Sequence, residues 1–205
     1  MKILFLAFVL CFQAVSIAQP ATELAGKVND IYLNSFNNES IKPDNIREIQ
    51  SVLNRIAASD SILSVLQLDK KNISDLINEF SLFENANQHT DSTLKTFYPV
   101  YLHFVSAFRQ YYKGQFIYSA RKKILFFTSS VSCECTVTMC QQQLAAVLRF
   151  IQQHNGQYEL ILEDTWSSSY FKDKFKAGFV PTVIVVDEQN KEIKRFVRED
   201  NFNVQ

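Results

Sequence analysis

The residues best suited to chemistry in this chain are its cysteines, and three of the four stand together: Cys133, Cys135 and Cys140. An ionised thiol attacks disulfides and ligates soft metals, so a tight group of thiols points to one chemistry or the other. The run Ser132-Cys133-Glu134-Cys135-Thr136-Val137-Thr138-Met139-Cys140 offers Cys-x-Cys and Cys-x4-Cys spacings but no Cys-x-x-Cys. A Cys133–Cys135 bond would close a small, strained ring, and strained disulfides are the more oxidising ones. Glu134 adds negative charge beside the pair, which is expected to raise the thiol pKa. Cys140 comes five residues after Cys135, about 140° around a regular helix, so those two face different ways. If the helix starts only near Thr138, after a β-branched Thr136-Val137-Thr138 run, Cys140 falls in its first turn and all three thiols converge.

The fourth cysteine, Cys11, lies in a segment of a different kind. Lys2 supplies a short positive region, Ile3 to Phe12 an apolar run, and Ser16-Ile17-Ala18 a small-x-small cleavage site. Residues 1–18 therefore read as a secretory signal peptide cut after Ala18, which places the mature protein outside the cell or in a periplasm. A stable membrane span is not expected, because about 20 apolar residues are needed to cross a bilayer and Gln13 interrupts this run. Leu10 stands where a lipoprotein signal needs a small residue. The three remaining cysteines are odd in number and clustered, unlike the dispersed, even-numbered set of a disulfide framework.

Composition removes other classes. The 205 residues carry 21 Lys+Arg against 21 Asp+Glu, with no basic stripe of the kind that tracks phosphates, so no nucleic acid is expected as partner. Only 4 Gly and 4 Pro exclude a collagen-like or low-complexity chain. The 18 Phe and 8 Tyr supply ample core and argue against disorder.

Two regions must hold the cysteines in place. Residues 19–113 read as helical throughout. Leu24, Val28, Ile31, Tyr32 and Phe36 form one apolar stripe, and Ile46, Ile49, Leu53 and Ile56 form a second behind Pro43-Asp44. Ser59 or Asp60 caps a short helix with Leu63 and Leu66, and Ile73, Leu76, Phe80 and Phe83 mark the next. The longest helix is expected over 92–113, with Leu94, Phe97, Tyr101, Phe104, Phe108 and Tyr111 facing neighbouring helices of a bundle. His103 has no second ligand at metal spacing and reads as structural or exposed. The sequons Asn38-Glu39-Ser40 and Asn72-Ile73-Ser74 matter only in a eukaryotic secretory pathway.

After Lys113-Gly114 the pattern changes. Ile124 to Thr128 is a continuous apolar run, as a buried parallel strand should be. A helix over 141–153 follows, then a strand from Tyr158, a short helix near 170–176, and two β-rich runs, 183–186 and 193–197, joined by a polar turn. The order β-α-β-α-β-β implies a parallel pair first and an antiparallel hairpin last.

With cysteines at a strand-to-helix junction and Gly178-Phe179-Val180-Pro181-Thr182 about 40 residues downstream, the stretch 113–197 resembles the thioredoxin-like superfamily. The resemblance implies an α/β fold, a thioredoxin-like β-α-β-α-β-β domain over 114–205 preceded by an all-helical N-terminal region. It implies thiol–disulfide exchange with protein thiols and disulfides, and no cofactor. Cys133, Cys135 and Cys140 would be the catalytic set, Cys140 a third thiol that resolves. Pro181 would be a cis residue that, with Val180, shapes the substrate groove. The chain departs from the family in its cysteine spacing, in lacking a Trp before the first Cys, and in having Leu125-Phe126-Phe127 where a buried acid is usual. Two alternatives stand beside exchange. One is a Cu(I) or Zn(II) site built from the same three thiolates, and the other a redox-inactive scaffold that meets a protein partner through its helical region.

Overall fold

The computed structural model describes residues 2–84, 92–198 and 202, with the backbone alone given for 2–18, 92 and 93. The side chains on which the signal-peptide expectation rests, that of Cys11 included, lie outside the described residues. Contacts divide the chain into two compact units, one of residues 1–31 and 41–87, the other of 32–40 and 88–205. No helix among the described residues is long and apolar enough to cross a membrane.

The first unit is helical. It takes most of α1 (Lys2–Phe36), then α2 (Pro43–Ala57), α3 (Asp60–Leu66) and α4 (Lys70–Ser81). Pro43 at the start of α2 costs no hydrogen bond, since the first N–H groups of a helix have no intrahelical partner. Ser59 caps α3 by accepting from the Ile62 N–H, and Asp69 caps α4 by accepting from the Asn72 N–H. The stripes anticipated from the sequence are the core: Leu24, Val28, Ile46, Ile49, Leu53, Ile56, Ile73, Leu76 and Phe80 are all buried.

The second unit holds α5 (Ser92–Ala107), α6 (Arg109–Tyr118), β1 (Lys122–Thr128), α7 (Glu134–Gln153), β2 (Tyr158–Asp164), α8 (Tyr170–Phe175), β3 (Thr182–Val186) and β4 (Glu192–Val197). The strands form one sheet in the order β2-β1-β3-β4. β1 runs parallel to β2 and antiparallel to β3, and β3 and β4 form the closing antiparallel hairpin. At the hairpin turn Asp187 accepts from the N–H groups of Gln189 and Lys191, and Asn190 takes a left-handed φ of 63°. From Lys123 to Thr128 every side chain of β1 is buried, which explains the unbroken apolar run of a strand flanked on both edges. This is the α/β, thioredoxin-like arrangement, with helices preceding it.

Two expectations about helices change. The long helix over 92–113 is two: α5 ends at Ala107, Phe108 leaves helical geometry with φ −90° and ψ 22°, and α6 runs on through Gly114 to Tyr118. The break turns Tyr111, Tyr112 and Phe116 into the core. The aromatic stripe meets more than neighbouring helices: both α5 and α6 pack on β2, while Tyr101 also meets Tyr32 of α1, with ring centroids 4.9 Å apart. A 3.6-residue period records that a face is buried but not what buries it.

α7 also begins earlier than its apolar face suggests. Cys133 is its N-cap residue and Glu134 its first helical residue. The Val137 N–H donates to the Cys133 carbonyl at 3.0 Å, so the β-branched run is already inside the helix. Cys140 therefore lies in the second turn, and the convergence of three thiols in a late first turn does not occur.

Candidate functional site

At the end of β1 the chain turns through 129–133 into α7, and this loop is fixed from two sides. Asp164, the buried last residue of β2, accepts from the Ser130 N–H at 2.9 Å and from the Trp166 N–H at 3.1 Å. Ser129 closes the turn by donating its hydroxyl to the Val131 carbonyl at 3.1 Å. The loop between β2 and α8 is tied to β1 by Thr165, whose N–H and hydroxyl both donate to the Thr128 carbonyl at 2.8 Å. The cysteine loop is thus held by the ends of two parallel strands.

Cys133 and Cys135 are free, exposed thiols with their sulfurs 2.7 Å apart. The Cys133 sulfur also lies 3.2 Å from the Thr136 hydroxyl. These partners hold the Cys133 pKa down at about 7, the Cys135 thiol first, then the Thr136 hydroxyl and the backbone of Thr136. The unpaired N–H groups of a helix N-terminus favour negative charge on the residue that caps it. The expectation that Glu134 raises the thiol pKa does not hold for Cys133, whose pKa these hydrogen bonds lower, while the Glu134 carboxylate lies 3.6 Å from Lys95. Cys133 is consequently ready to ionise near neutral pH.

Cys140 sits on another face. It is fully buried, and burial raises its pKa despite hydrogen bonds from the hydroxyls of Thr128 and Tyr98 and from the Ser129 backbone. The Tyr98 and Thr128 hydroxyls are themselves 2.7 Å apart, which closes a small polar cluster beneath the loop. The structure thus brings Cys133 and Cys135 together and leaves Cys140 out. Among the described residues no group of three His, Cys, Asp or Glu side chains could hold a metal ion. The soft-metal site of Cys133, Cys135 and Cys140 accordingly lacks its third thiolate.

The Val180–Pro181 peptide bond is cis, and the residues around it lie at the same end of the sheet. Thr182 pairs with Phe127, which places Pro181 next to Thr128, where β1 enters the cysteine loop. Arg198 holds this loop: its N–H donates to the Pro181 carbonyl at 3.0 Å, and its Nε to the Val180 carbonyl at 3.2 Å. Its guanidinium stands 5.3 Å from the Phe179 ring centroid.

An open groove of about 640 Å³ runs beside the start of α7, with Tyr98, Leu102, Val137 and Trp166 among its apolar walls and Ser132 and Glu134 at the edge near the thiols. Trp166 is 70% exposed there. His103 is half-buried and lines the same groove.

Sequence reasoning missed Asp164 and Thr136. Asp164 ends an apolar strand and gives no local sign that it reaches a loop 34 residues earlier. Thr136 had a signal, since it stands three residues after Cys133, the spacing at which an N-cap side chain meets the N3 residue.

A mixed four-stranded sheet of this order, with an exposed thiol pair where the first strand passes into a helix, defines a thioredoxin-like fold carrying a dithiol. Neither a protein-family model nor a curated protein matches the chain. Among solved structures the chain is similar to the germline-specific thioredoxin Deadhead (thioredoxin-1) from Drosophila melanogaster, at 15% identity and a TM-score of 0.36. The match covers 44% of this chain and 82% of that one. The likeness is distant, and the strand order and pairing carry the fold by themselves.

Proposed function

We propose that the second unit carries out thiol–disulfide exchange with protein substrates, Cys133 being the attacking thiol and Cys135 the resolving one. The observation that carries this reading is the 2.7 Å approach of the two exposed sulfurs at the N-terminus of α7. Cys133, ionised near neutral pH, attacks one sulfur of a substrate disulfide and displaces the other as a thiolate, which takes a proton from solvent. Cys135 then loses its proton and attacks the Cys133 sulfur, releasing the second substrate thiol and leaving a Cys133–Cys135 disulfide. One substrate disulfide is reduced and one protein dithiol is oxidised. The reverse sequence oxidises a substrate dithiol.

Val180 and Pro181, held at the same sheet end, would line the path of the substrate chain. Residues 1–18 would direct the chain through secretion, to the periplasm or beyond the cell, and would then be removed.

The test is mass mapping of alkylated cysteines in the full chain before and after incubation with a disulfide-bonded peptide. Exchange is expected to convert Cys133 and Cys135 together from alkylated to protected, while the peptide becomes reduced. A peptide left oxidised, with both thiols still alkylated, removes the proposal. N-terminal sequencing of the exported protein is expected to begin at Gln19, and a start at Met1 removes the signal-peptide reading.

A further inference from the structure

Cys133 caps α7, and Thr136 is the third residue of that helix. At this spacing an N-cap side chain ordinarily accepts from the N3 N–H, while the N3 side chain reaches back over the cap. Here a thiol stands in the capping position, and the Thr136 hydroxyl reaches back to within 3.2 Å of its sulfur. Thr136 is buried, 7% exposed, so its hydroxyl is held against the sulfur by packing while the sulfur itself remains open to solvent. A Cys-x-x-Cys sequence would have put its second thiol at this position; the chain has a hydroxyl there and moves its second thiol to Cys135.

We infer that Thr136 is a catalytic residue of this site: its hydroxyl donates a hydrogen bond to the Cys133 sulfur whenever that sulfur bears negative charge. The inference rests on the exchange reading above and assigns the two functions of a second cysteine to separate side chains. Thr136 stabilises the Cys133 thiolate, both as the attacking group and, in the reverse sequence, as the leaving group when the second substrate thiolate attacks the substrate sulfur of the Cys133 mixed disulfide. Cys135 resolves. The hydroxyl keeps its proton throughout; the Cys133 proton goes to solvent, and no electron passes through Thr136. Hydrogen bonds to a charged group are the stronger ones, and a donor fixed beforehand needs no reorganisation when the charge forms.

The experiment follows the alkylation rate of Cys133 against pH in the full chain, with the modified residue identified by mass. The wild-type midpoint is expected near 7. Thr136→Val keeps the side-chain shape and removes the hydroxyl, so its midpoint should rise by about one unit, with about fivefold slower alkylation at pH 7. Thr136→Ser restores the hydroxyl and should return both to the wild-type values. An unmoved midpoint in Thr136→Val overturns the inference. So does a Thr136→Ser midpoint displaced as far as that of Thr136→Val, since packing rather than the hydroxyl would then matter. Failure of the exchange reading is scored separately, by wild-type protein that leaves a disulfide-bonded peptide oxidised.

Discussion

The carboxylate of Asp164, at the end of β2, accepts the Ser130 N–H at 2.9 Å and so holds the loop that carries the cysteines onto the neighbouring parallel strand. The same oxygen accepts from the Trp166 N–H, so one buried acid organises both loops at this sheet end. Removing it as Asp164→Ala leaves two N–H groups to find new partners. The cost is expected at about 1–3 kcal/mol, seen as a lower midpoint in urea unfolding. Alkylation of Cys133 at pH 7 should slow in this variant, because the loop no longer presents the thiol at the helix N-terminus.

The Cys133 pKa, lowered to about 7, sets a pH profile. Below that value the thiol is protonated and slow; above it the thiolate reacts. Alkylation should climb across about pH 6–8 and then level off, whereas an unperturbed thiol would still be gaining near 8.5. The sign for stability follows the same shift. A folded-state pKa below the unfolded one contributes stability that is complete above the ordinary thiol range and is lost as pH falls through about 7.

Cys140 should behave in the opposite way. It is buried, and its thiol is pushed upward, so it stays protonated and unreactive in the folded protein at neutral pH. Mass mapping is expected to find it alkylated only after denaturation. Cys140→Ala should leave exchange by Cys133 and Cys135 intact while costing about 1–2 kcal/mol for the lost packing and the hydroxyls of Tyr98 and Thr128 left with one partner fewer. Loss of exchange in Cys140→Ala, with the fold retained, would restore Cys140 to the catalytic set.

Glu163 offers a test away from the thiols. Its buried carboxylate accepts from the Ser168 hydroxyl at 2.8 Å, the Phe171 N–H at 2.9 Å and the Lys172 N–H at 2.6 Å, covering the start of α8. Burial nonetheless raises its pKa above the usual carboxylate range. The folded state therefore holds the proton more tightly than the unfolded one, and stability gains a component as pH falls through that window. Glu163→Gln should lack this component in urea titrations at several pH values. Glu163→Ala should cost about 2–3 kcal/mol at pH 7, because three donors lose a charged acceptor together.

Much of this protein is decided locally. The continuous apolar run of β1, the polar turn between β3 and β4, and the stripes of α2 and α4 are each set by neighbours within a few residues, so the sequence alone fixes element types and the β-α-β-α-β-β order. The position of three thiols at one strand-to-helix junction is equally a property of the chain. What the thiols do there depends on the tertiary structure. The β-branched Thr136-Val137-Thr138 suggests a late helix start, yet α7 begins at Glu134, with Cys133 as its N-cap residue. That start commits Cys133 and Cys135 to the exposed end of the helix and turns Cys140 inward against Tyr98 and Thr128, residues 42 and 12 positions earlier in the chain. Asp164 and Arg198 reach the site the same way, from distant strand ends. Periodicity records which side of an element is buried, but the charge on a thiol depends on which groups the fold brings within hydrogen-bond distance, and those arrive through strand pairing.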